Sequence, residues 1–255
     1  MRLATWNVNS VRARLPRVTG WIGRHHPDLL CLQETKASDP DFPRAELEAL
    51  GYTVEIFGQK TYNGVAILAR GPLTDVARGL PDDDAESEKR VLAATFDGLR
   101  VMNLYVPNGQ EVGTEKYAFK LAWMDRLRAA LSEAYRPDQP LLLCGDFNIA
   151  PDDRDVYDPE RWRGKVHFSE PEKEKFRELL GWGLADALRL LTEEPGQYTW
   201  WDYRANGFPR NMGLRLDHFL VTPPVAARVR EILIDRDERA GEKPSDHAPV
   251  LLTLD

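Results

Sequence analysis

The sequence predicts an α/β fold in which mixed β-sheets carry helices on their outer faces. Short apolar strand candidates alternate with amphipathic helix candidates along the 255 residues. Some neighbouring strands are joined by hairpin-length turns and others by longer helical crossovers, a combination that is typical of mixed sheets. The segments ATWNVN and CGDFNIA, one in each half of the chain, both place an asparagine after a buried strand. This short repeat favours a sandwich made of two similar halves.

The first elements predicted along the chain are two strands joined by a helix. The strand candidates lie at residues 3–8 and 29–32, and the second is apolar throughout, as expected of a strand buried on both faces. Between them, Pro16 suits the first position of a helix. That helix would bury a stripe formed by Val18, Trp21 and Ile22.

A short helix and several strands are expected next. Residues 43–50, followed by Gly51, have the pattern of a capped helix, and residues 52–56 alternate as a half-buried strand. The segment GVAILAR continues the sheet. The clearest hairpin is VLAATF–DG–LRVMNLYV, because Asp97-Gly98 suits a type I′ turn.

The second half of the chain begins with a long helix. Its buried face is predicted to consist of Phe119, Trp123, Leu127, Ala130 and Ala134. The segment PLLLCGDF reads as another buried strand. Ser169 and Glu172 have the spacing of a capping box, which predicts the start of a further helix. LRLDHFLV and PVLLTL are the last predicted strands.

Composition indicates one folded domain that spans residues 1–255. Hydrophobic residues make up 42% of the chain and aromatic residues 9%, which excludes a disordered chain, and no Gly/Ser-rich linker divides it. No apolar run approaches the ~18 residues of a membrane span, and the start MRLATWNVN does not resemble a signal peptide. Cys31 and Cys144 lie in apolar runs, so we expect buried, reduced thiols in a cytoplasmic protein without a membrane partner. A monomer is the default expectation.

The charge balance leaves two interpretations open. The formal net charge is −7, whereas a domain that binds nucleic acid is usually strongly basic. Either the partner is not nucleic acid, or the basic surface is local and part of the acidic count belongs to a metal site.

Polar side chains follow six of the predicted apolar strands. They are Asn7 and Asn9, Glu34, Asn108, Asp146 and Asn148, Asp217, and the pair Asp246 and His247. Each of them alone is typical of a turn. Together they indicate one polar cluster at the strand ends, where the ligand crevices of open α/β sheets lie.

The residue types of this cluster narrow its chemistry. The sequence has no nucleophile elbow, P-loop or GxGxxG motif, and neither cysteine has an obvious base beside it. Hard oxygen ligands with one histidine suit Mg²⁺ or Mn²⁺ better than a tetrahedral zinc site. Such a cluster fits metal-assisted hydrolysis of a phosphodiester, in which the metal offsets phosphoryl charge and a carboxylate prepares water.

Seven segments also resemble, in order, the motifs of one protein family. They are TWNVNSVRAR, LLCLQETK, YNGVAIL, NLYVPNG, LLLCGDFNIAP, GLRLDHFL and KPSDHAPV. This set resembles the exonuclease III branch of the endonuclease/exonuclease/phosphatase superfamily over essentially the whole chain. The resemblance implies a four-layer α/β sandwich, with two packed mixed β-sheets flanked by helices in two pseudo-symmetric halves. It also implies dependence on Mg²⁺ or Mn²⁺ and action on duplex DNA at abasic sites and 3′ ends.

The resemblance implies a set of metal-binding residues. Glu34 of LQET would be the principal metal ligand, with Asn7 and Asn9 beside it. Asp246 of SDH would be a second ligand or a base. Lys36 would hold Glu34 in place.

The same resemblance implies catalytic roles. Asp146 of GDFN would activate the attacking water or pass on its proton, and Asn148 would hold that water or the phosphate. His247 would bind a phosphate oxygen while Asp217 accepts its other ring N–H, which would also favour the imidazolium. Tyr105 would donate a hydrogen bond to the phosphate and assist the leaving group.

Contacts with DNA are expected from a polar and a basic set. Asn108 would contact the phosphate. The basic candidates are Arg12, Arg14, Arg17, Arg90, Lys116, Lys120, Arg204, Arg210 and Arg215. Any one of them is explained by solubility, but as a set they would place positive charge around an acidic metal pocket. Trp200 and Leu214 match positions that in relatives wall a pocket for a flipped-out, base-free sugar.

The sequence therefore predicts a Mg²⁺-dependent DNA-repair nuclease that cuts 5′ to abasic sites and trims or cleans 3′ ends. One alternative is a phosphatase of the same superfamily that acts on a small phosphoester, such as an inositol phosphate or a lipid head group. The other is a DNA-binding scaffold without catalysis. A scaffold is expected to lack one of the principal groups, and all of these are present: Glu34, Asp146, Asn148 and His247.

Overall fold

The computed structural model describes residues 1–204 and 206–255, which form two six-stranded mixed sheets with helices outside them. The first half of the chain contains β1 (Arg2–Asn7), α1 (Val11–His25), β2 (Leu29–Gln33), α2 (Arg44–Glu48), β3 (Thr53–Phe57), β4 (Val65–Ala69), β5 (Thr74–Arg78), β6 (Val91–Phe96) and β7 (Leu99–Tyr105). The second half contains α3 (Glu115–Ala134), β8 (Leu141–Asp146), α4 (Pro159–Trp162), α5 (Glu170–Gly181), β9 (Ala185–Asp186), β10 (Trp200–Trp201), β11 (Gly213–Leu214), β12 (Asp217–Val221), α6 (Pro223–Ala226), β13 (Val229–Ile234) and β14 (Val250–Leu254).

The two sheets have the same arrangement of strands at their centres. Their strand orders are β13-β14-β1-β2-β4-β3 and β5-β6-β7-β8-β12-β9. In each sheet the central pair is parallel, β1 with β2 and β7 with β8, and the flanking strands are antiparallel. A parallel pair needs a crossover helix, which α1 and α3 provide. This arrangement confirms the predicted sandwich of two sheets flanked by helices.

Apolar side chains fill three layers of the core. The inner faces of the two sheets pack together through a cluster that includes Ile67, Val101 and Phe219. The outer face of the first sheet packs on α1 and α2, and that of the second on α3 and α5. Cys31 and Cys144 are buried and free. Within the described residues, no helix combines the length and the apolar character needed to cross a membrane.

The local turn chemistry follows the sequence in two places. Asp97 and Gly98 both have positive φ, 47° and 74°, as a type I′ turn requires, and they join β6 to β7. At the start of α5, the backbone N–H of Ser169 donates to Glu172 Oε2 at 3.1 Å, which confirms the capping box.

Two helix predictions were wrong in detail. Pro16 lies inside α1, because the Ser10 side chain accepts from the Ala13 N–H and caps the helix earlier in the chain. Phe119 is 45% exposed and Ala134 is also exposed, so neither belongs to the buried face of α3. That face instead includes Lys120, whose burial the apolar pattern did not indicate.

Candidate active site

The polar residues that follow the strands meet at one end of the sandwich. In the first sheet, β1 ends at Asn7 and β2 is followed by Glu34, and the two parallel strands end at the same edge. In the second sheet, β8 ends at Asp146, opposite Asp217 at the start of the antiparallel β12. His247 precedes β14, whose first residue pairs near the end of β1. The fold therefore brings both halves of the chain to a single cluster.

Asn7 links the carboxylates of the two sheets. Its Nδ2 donates to Glu34 Oε1 and to Asp146 Oδ2, both at 2.9 Å. Lys36 Nζ lies 2.8 Å from Glu34 Oε2, where it can hold the carboxylate as expected. One buried amide group thus holds two carboxylates close together. The negative charge gathered there favours a bound cation.

His247 lies between two acidic side chains. Its Nδ1 is 2.8 Å from Asp217 Oδ2, and its Nε2 is 3.6 Å from Asp146 Oδ2. Burial alone would lower the pKa of His247, but the carboxylates of Asp217 and Asp146 outweigh it and raise that pKa to about 10. The imidazole is therefore a cation at neutral pH and presents a positive charge to the site.

Asp146 and Asn148 form a compact turn at the end of β8. The Asn148 backbone N–H donates to Asp146 Oδ1 at 2.9 Å, and its side-chain amide donates to Val106 O at 3.0 Å. Asn108 Nδ2 donates to Asn148 Oδ1 at 3.2 Å. Burial raises the pKa of Asp146 to about 7; His247 opposes this effect, and Asp217 adds to it. A carboxyl with this pKa can exchange a proton near neutral pH.

Tyr105 offers a neutral phenol at the edge of the cluster. Burial, followed by the charges of Glu34 and Asp146, holds the pKa of Tyr105 well above its usual range. Arg90 lies over the ring, 4.7 Å from its centroid, and donates to the Tyr105 carbonyl at 3.1 Å. Tyr105 can therefore donate a hydrogen bond, and Arg90 holds it in place from behind.

The donor set fits a divalent cation. Asp146, Asp217 and His247 approach one another closely enough to hold a metal ion. However, a protonated His247 has no free lone pair, so the carboxylate oxygens are the better ligands. Carboxylate and amide oxygens are the donors that Mg²⁺ and Mn²⁺ prefer.

Asn9 and Asp246 lie together beside the cluster. Asn9 Oδ1 accepts from Lys36 Nζ at 2.6 Å, and its Nδ2 donates to Asp246 Oδ1 at 3.0 Å. Trp200 Nε1 donates to Asp246 Oδ2 at 3.0 Å. The Asn9 oxygen is thus already bound to an ammonium group, and this chain of hydrogen bonds connects the metal-binding candidates to Trp200.

Three of the predicted DNA contacts are buried: Arg90, described above against Tyr105, Lys120 and Arg215. Arg215 is buried and pairs with Asp155 Oδ1 at 2.6 Å and with Asp186 Oδ2 at 2.7 Å. Lys120 is fully buried against Glu172. Both cations are neutralised inside the protein and expose no surface to a phosphate. Arg204 and Arg210, in contrast, are exposed, Arg204 at 92% of its side chain.

The structure also differs from the predicted sugar pocket. Leu214 is fully buried and pairs with Trp200 in a two-stranded ribbon, so it supports Trp200 from behind and does not line an open pocket. His167 lies close to Trp200. Its ring centroid lies 6.1 Å from that of Trp200 and 6.4 Å from that of Trp162.

His167 is the main residue that the sequence analysis missed. Burial, followed by the charge of Lys120, lowers the pKa of His167 to about 4, so the ring is neutral. Its Nδ1–H donates to Asn148 O at 2.8 Å. The capping box at Ser169 predicted the helix that follows, but it carried no information on the direction of the preceding loop.

Comparison with known proteins agrees with this geometry. Residues 4–247 match the model of the Endonuclease/Exonuclease/phosphatase family. Exodeoxyribonuclease III of Haemophilus influenzae is 37% identical over 98% of this chain and 98% of its own length. The structure of the 3′ phosphatase NExo from Neisseria, bound to a product DNA hairpin, is 44% identical with a TM-score of 0.96 and covers 100% of this chain and 99% of that one.

An AP endonuclease from Archaeoglobus fulgidus is similar over the same extent. Its structure is 38% identical with a TM-score of 0.96, and the match covers 100% of this chain and 99% of that one. The family match and the full-length relatives agree with the seven sequence motifs and with the two-sheet fold. The chain therefore belongs to the endonuclease/exonuclease/phosphatase family, within its exodeoxyribonuclease III-like nucleases.

Proposed function

We propose that this chain is a divalent-metal-dependent DNA-repair nuclease that hydrolyses phosphate esters of duplex DNA at 3′ ends and 5′ to abasic sites. The observation that carries the proposal is the buried cluster in which Asn7 joins Glu34 to Asp146 while His247 faces Asp146. The relatives named above act as nucleases or phosphatases, and one of their structures holds a product DNA hairpin. A scaffold without catalysis would have no need of this arrangement.

In this proposal Asp146 prepares the attacking water. Its carboxylate takes a proton from the water, and its pKa of about 7 suits this role at neutral pH. The Asn148 N–H and the Asn7 amide donate to the two Asp146 oxygens and fix the orientation of the carboxylate. The Asn148 side chain, beside Asn108, holds the water or the scissile phosphate.

Three groups stabilise the charge that develops on the phosphate. Cationic His247 binds a non-bridging oxygen, and Tyr105 donates toward the leaving oxygen. A divalent ion held by Glu34, with Asn7 beside it, would supply Lewis-acid stabilisation of the phosphoryl group. Asn9 accepts from Lys36 and Asp246 accepts from Trp200, so these two residues would orient the side chains next to the groups that hold the ion. We propose Mg²⁺ as this ion because the donors are hard oxygens.

The position of His167 favours 3′ ends as the main substrates. An abasic nucleotide must leave the helix and enter a pocket, and the buried ring of His167 lies close to both Trp162 and Trp200, where such a pocket was predicted. A terminal phosphate or nucleotide needs no such pocket. The two free buried cysteines fit the reducing cytoplasm, where we propose that the protein acts.

The test compares four substrates with and without EDTA: a duplex with a 3′-phosphate, a duplex with an unmodified 3′ end, a duplex with one abasic site, and inositol phosphate. We expect EDTA to abolish hydrolysis of DNA and the 3′-phosphate to be removed faster than the abasic site is cut. Faster abasic incision would overturn the preference for 3′ ends. Hydrolysis of inositol phosphate alone would overturn the assignment to DNA.

A pair of variants tests the role of His167 at the predicted pocket. His167→Ala should raise abasic incision relative to 3′-phosphate removal, because it removes the ring that lies close to Trp200. The matched control is His218→Ala, which removes another buried histidine that contacts Phe147 and Phe176 instead. The pocket argument would be contradicted if the ratio of abasic incision to 3′-phosphate removal were the same in His167→Ala as in His218→Ala.

A further inference from the structure

A buried ion pair lies behind the cluster and takes no part in the chemistry proposed above. We propose that Lys120 and Glu172 are positioning residues that hold the loops of Asn108 and Asn148 in their catalytic spacing. This inference rests on the proposed function, because it concerns the same site.

Lys120 connects the two loops through their backbones. Its Nζ donates to Asn108 O at 3.2 Å, to Asn148 O at 2.7 Å and to Glu172 Oε1. An ammonium group has three donors, and all three are used. Because Lys120 is fully buried on α3, the helix fixes the distance between the ends of β7 and β8.

Glu172 extends this network to the loop before α5. Its Oε1 also accepts from the His167 N–H at 2.9 Å, and its Oε2 accepts from the Ser169 N–H at 3.1 Å. The capping glutamate of α5 is therefore also the counterion of Lys120. His167 in turn donates to Asn148 O, so two donors converge on that one carbonyl.

Asn148 needs such support because of its backbone conformation. Its φ is 52°, in the left-handed region, which costs conformational energy for residues other than glycine. The same residue places its N–H on Asp146 and its side chain beside Asn108. If the carbonyl lost its two donors, the peptide could relax and the Asn148 amide would move from the proposed water or phosphate position.

A purely structural role makes a different prediction. A buried ion pair is weak evidence for stability, and replacing both partners by neutral groups is often tolerated, whereas removing one partner leaves an unpaired buried charge. Lys120→Met and Glu172→Gln should therefore each lower the melting temperature, and the double variant should recover much of that loss. If the pair acts only through stability, activity should recover with it.

The experiment measures melting temperature, kcat and KM on a 3′-phosphate duplex for wild type, both single variants and the double variant. We expect kcat to fall about 10²-fold in Lys120→Met and in the double variant, which both lack the lysine donor, since a displacement of about 1 Å can cost this much; Glu172→Gln keeps that donor and should lose less. KM and DNA binding in EDTA should not change. The double variant should melt above the singles while its kcat stays low, because the Lys120 ammonium that donates to Asn108 O and Asn148 O is still missing.

Leu131→Ala is the matched control, a fully buried change on the same helix at its far end. It should lower the melting temperature and leave kcat unchanged. The proposal is overturned if kcat recovers with stability in the double variant, or if that variant does not fold. A wild-type protein that hydrolyses none of the DNA substrates would overturn the proposed function instead.

Discussion

The charge on His247 can be tested by replacing its partner, Asp217, with asparagine. The imidazole is held between Asp217 Oδ2 at 2.8 Å and Asp146 Oδ2 at 3.6 Å, and its pKa is raised from 6.5 to about 10. At about 1.4 kcal/mol for each pH unit, this difference is roughly 5 kcal/mol of preference for the cation. Asp217 makes the largest favourable contribution, so its loss should lower the pKa of His247 by roughly two pH units.

The sign of the effect follows from the raised pKa. His247 is cationic below about pH 10 in the folded wild type, so activity that depends on this charge is kept up to that pH and lost above it. Asp217→Asn should move the alkaline fall of kcat/KM toward pH 8, with little loss at pH 6. The stabilisation that the cation gives to the fold is present below pH 6.5 and is lost as the pH rises to about 10.

The assay is the pH profile of 3′-phosphate removal between pH 6 and pH 10, together with NMR titration of the His247 ring. The ring titration reports the pKa directly and does not depend on the proposed activity. Asp186→Asn is the control, since Asp186 is a buried carboxylate that lies 4.0 Å from a different histidine, His218. A His247 titration that is the same in Asp217→Asn and wild type would refute the electrostatic argument.

Four further variants test the same geometry. Glu34→Gln should abolish activity at limiting Mg²⁺ and recover part of it at high Mg²⁺, as measured by metal titration; unchanged turnover would contradict its role as a ligand. Asp146→Asn should lower single-turnover cleavage by ~10²–10⁴-fold while DNA binding in EDTA survives. Arg215→Met should lower the stability by about 3–5 kcal/mol in urea unfolding, because it leaves the buried Asp186 carboxylate without its arginine partner. Arg204→Ala should weaken DNA binding without changing stability, and the reverse pattern for these two arginines would contradict the burial argument.

The gathering of the polar cluster could be predicted because it depends on strand ends. Asn7, Glu34 and Asp146 each follow an apolar strand, and strands of one sheet that run in parallel bring their ends to the same edge. The pairing of His247 with Asp217 needed the family resemblance as well, since 30 residues separate them. Periodicity and turn chemistry were sufficient for the strands and for the Asp97-Gly98 hairpin.

Which basic residues are buried could not be predicted, because a cation is buried only when a distant partner neutralises it. Lys120 meets Glu172 across 52 residues, and Arg215 meets Asp155 across 60. Neither partner is marked by the local pattern, which treats lysine and arginine as surface residues. The position of His167 depends in the same way on a loop whose path is set by tertiary contacts.

Burial also explains how a chain of net charge −7 can act on a polyanion. Lys120 and Arg215 compensate internal carboxylates and do not contribute to the surface. Asp146 and Asp217 of the active site are likewise buried, and His247 and a bound divalent cation would offset their charge. Attraction of a phosphate backbone therefore depends on the exposed cations around the site and on screening over a distance of about 8–10 Å. Of the predicted contacts, the exposed ones are Arg12, Lys116, Arg204 and Arg210. The net charge does not report where each charge lies, and it is the positions of the charges that decide whether DNA is attracted.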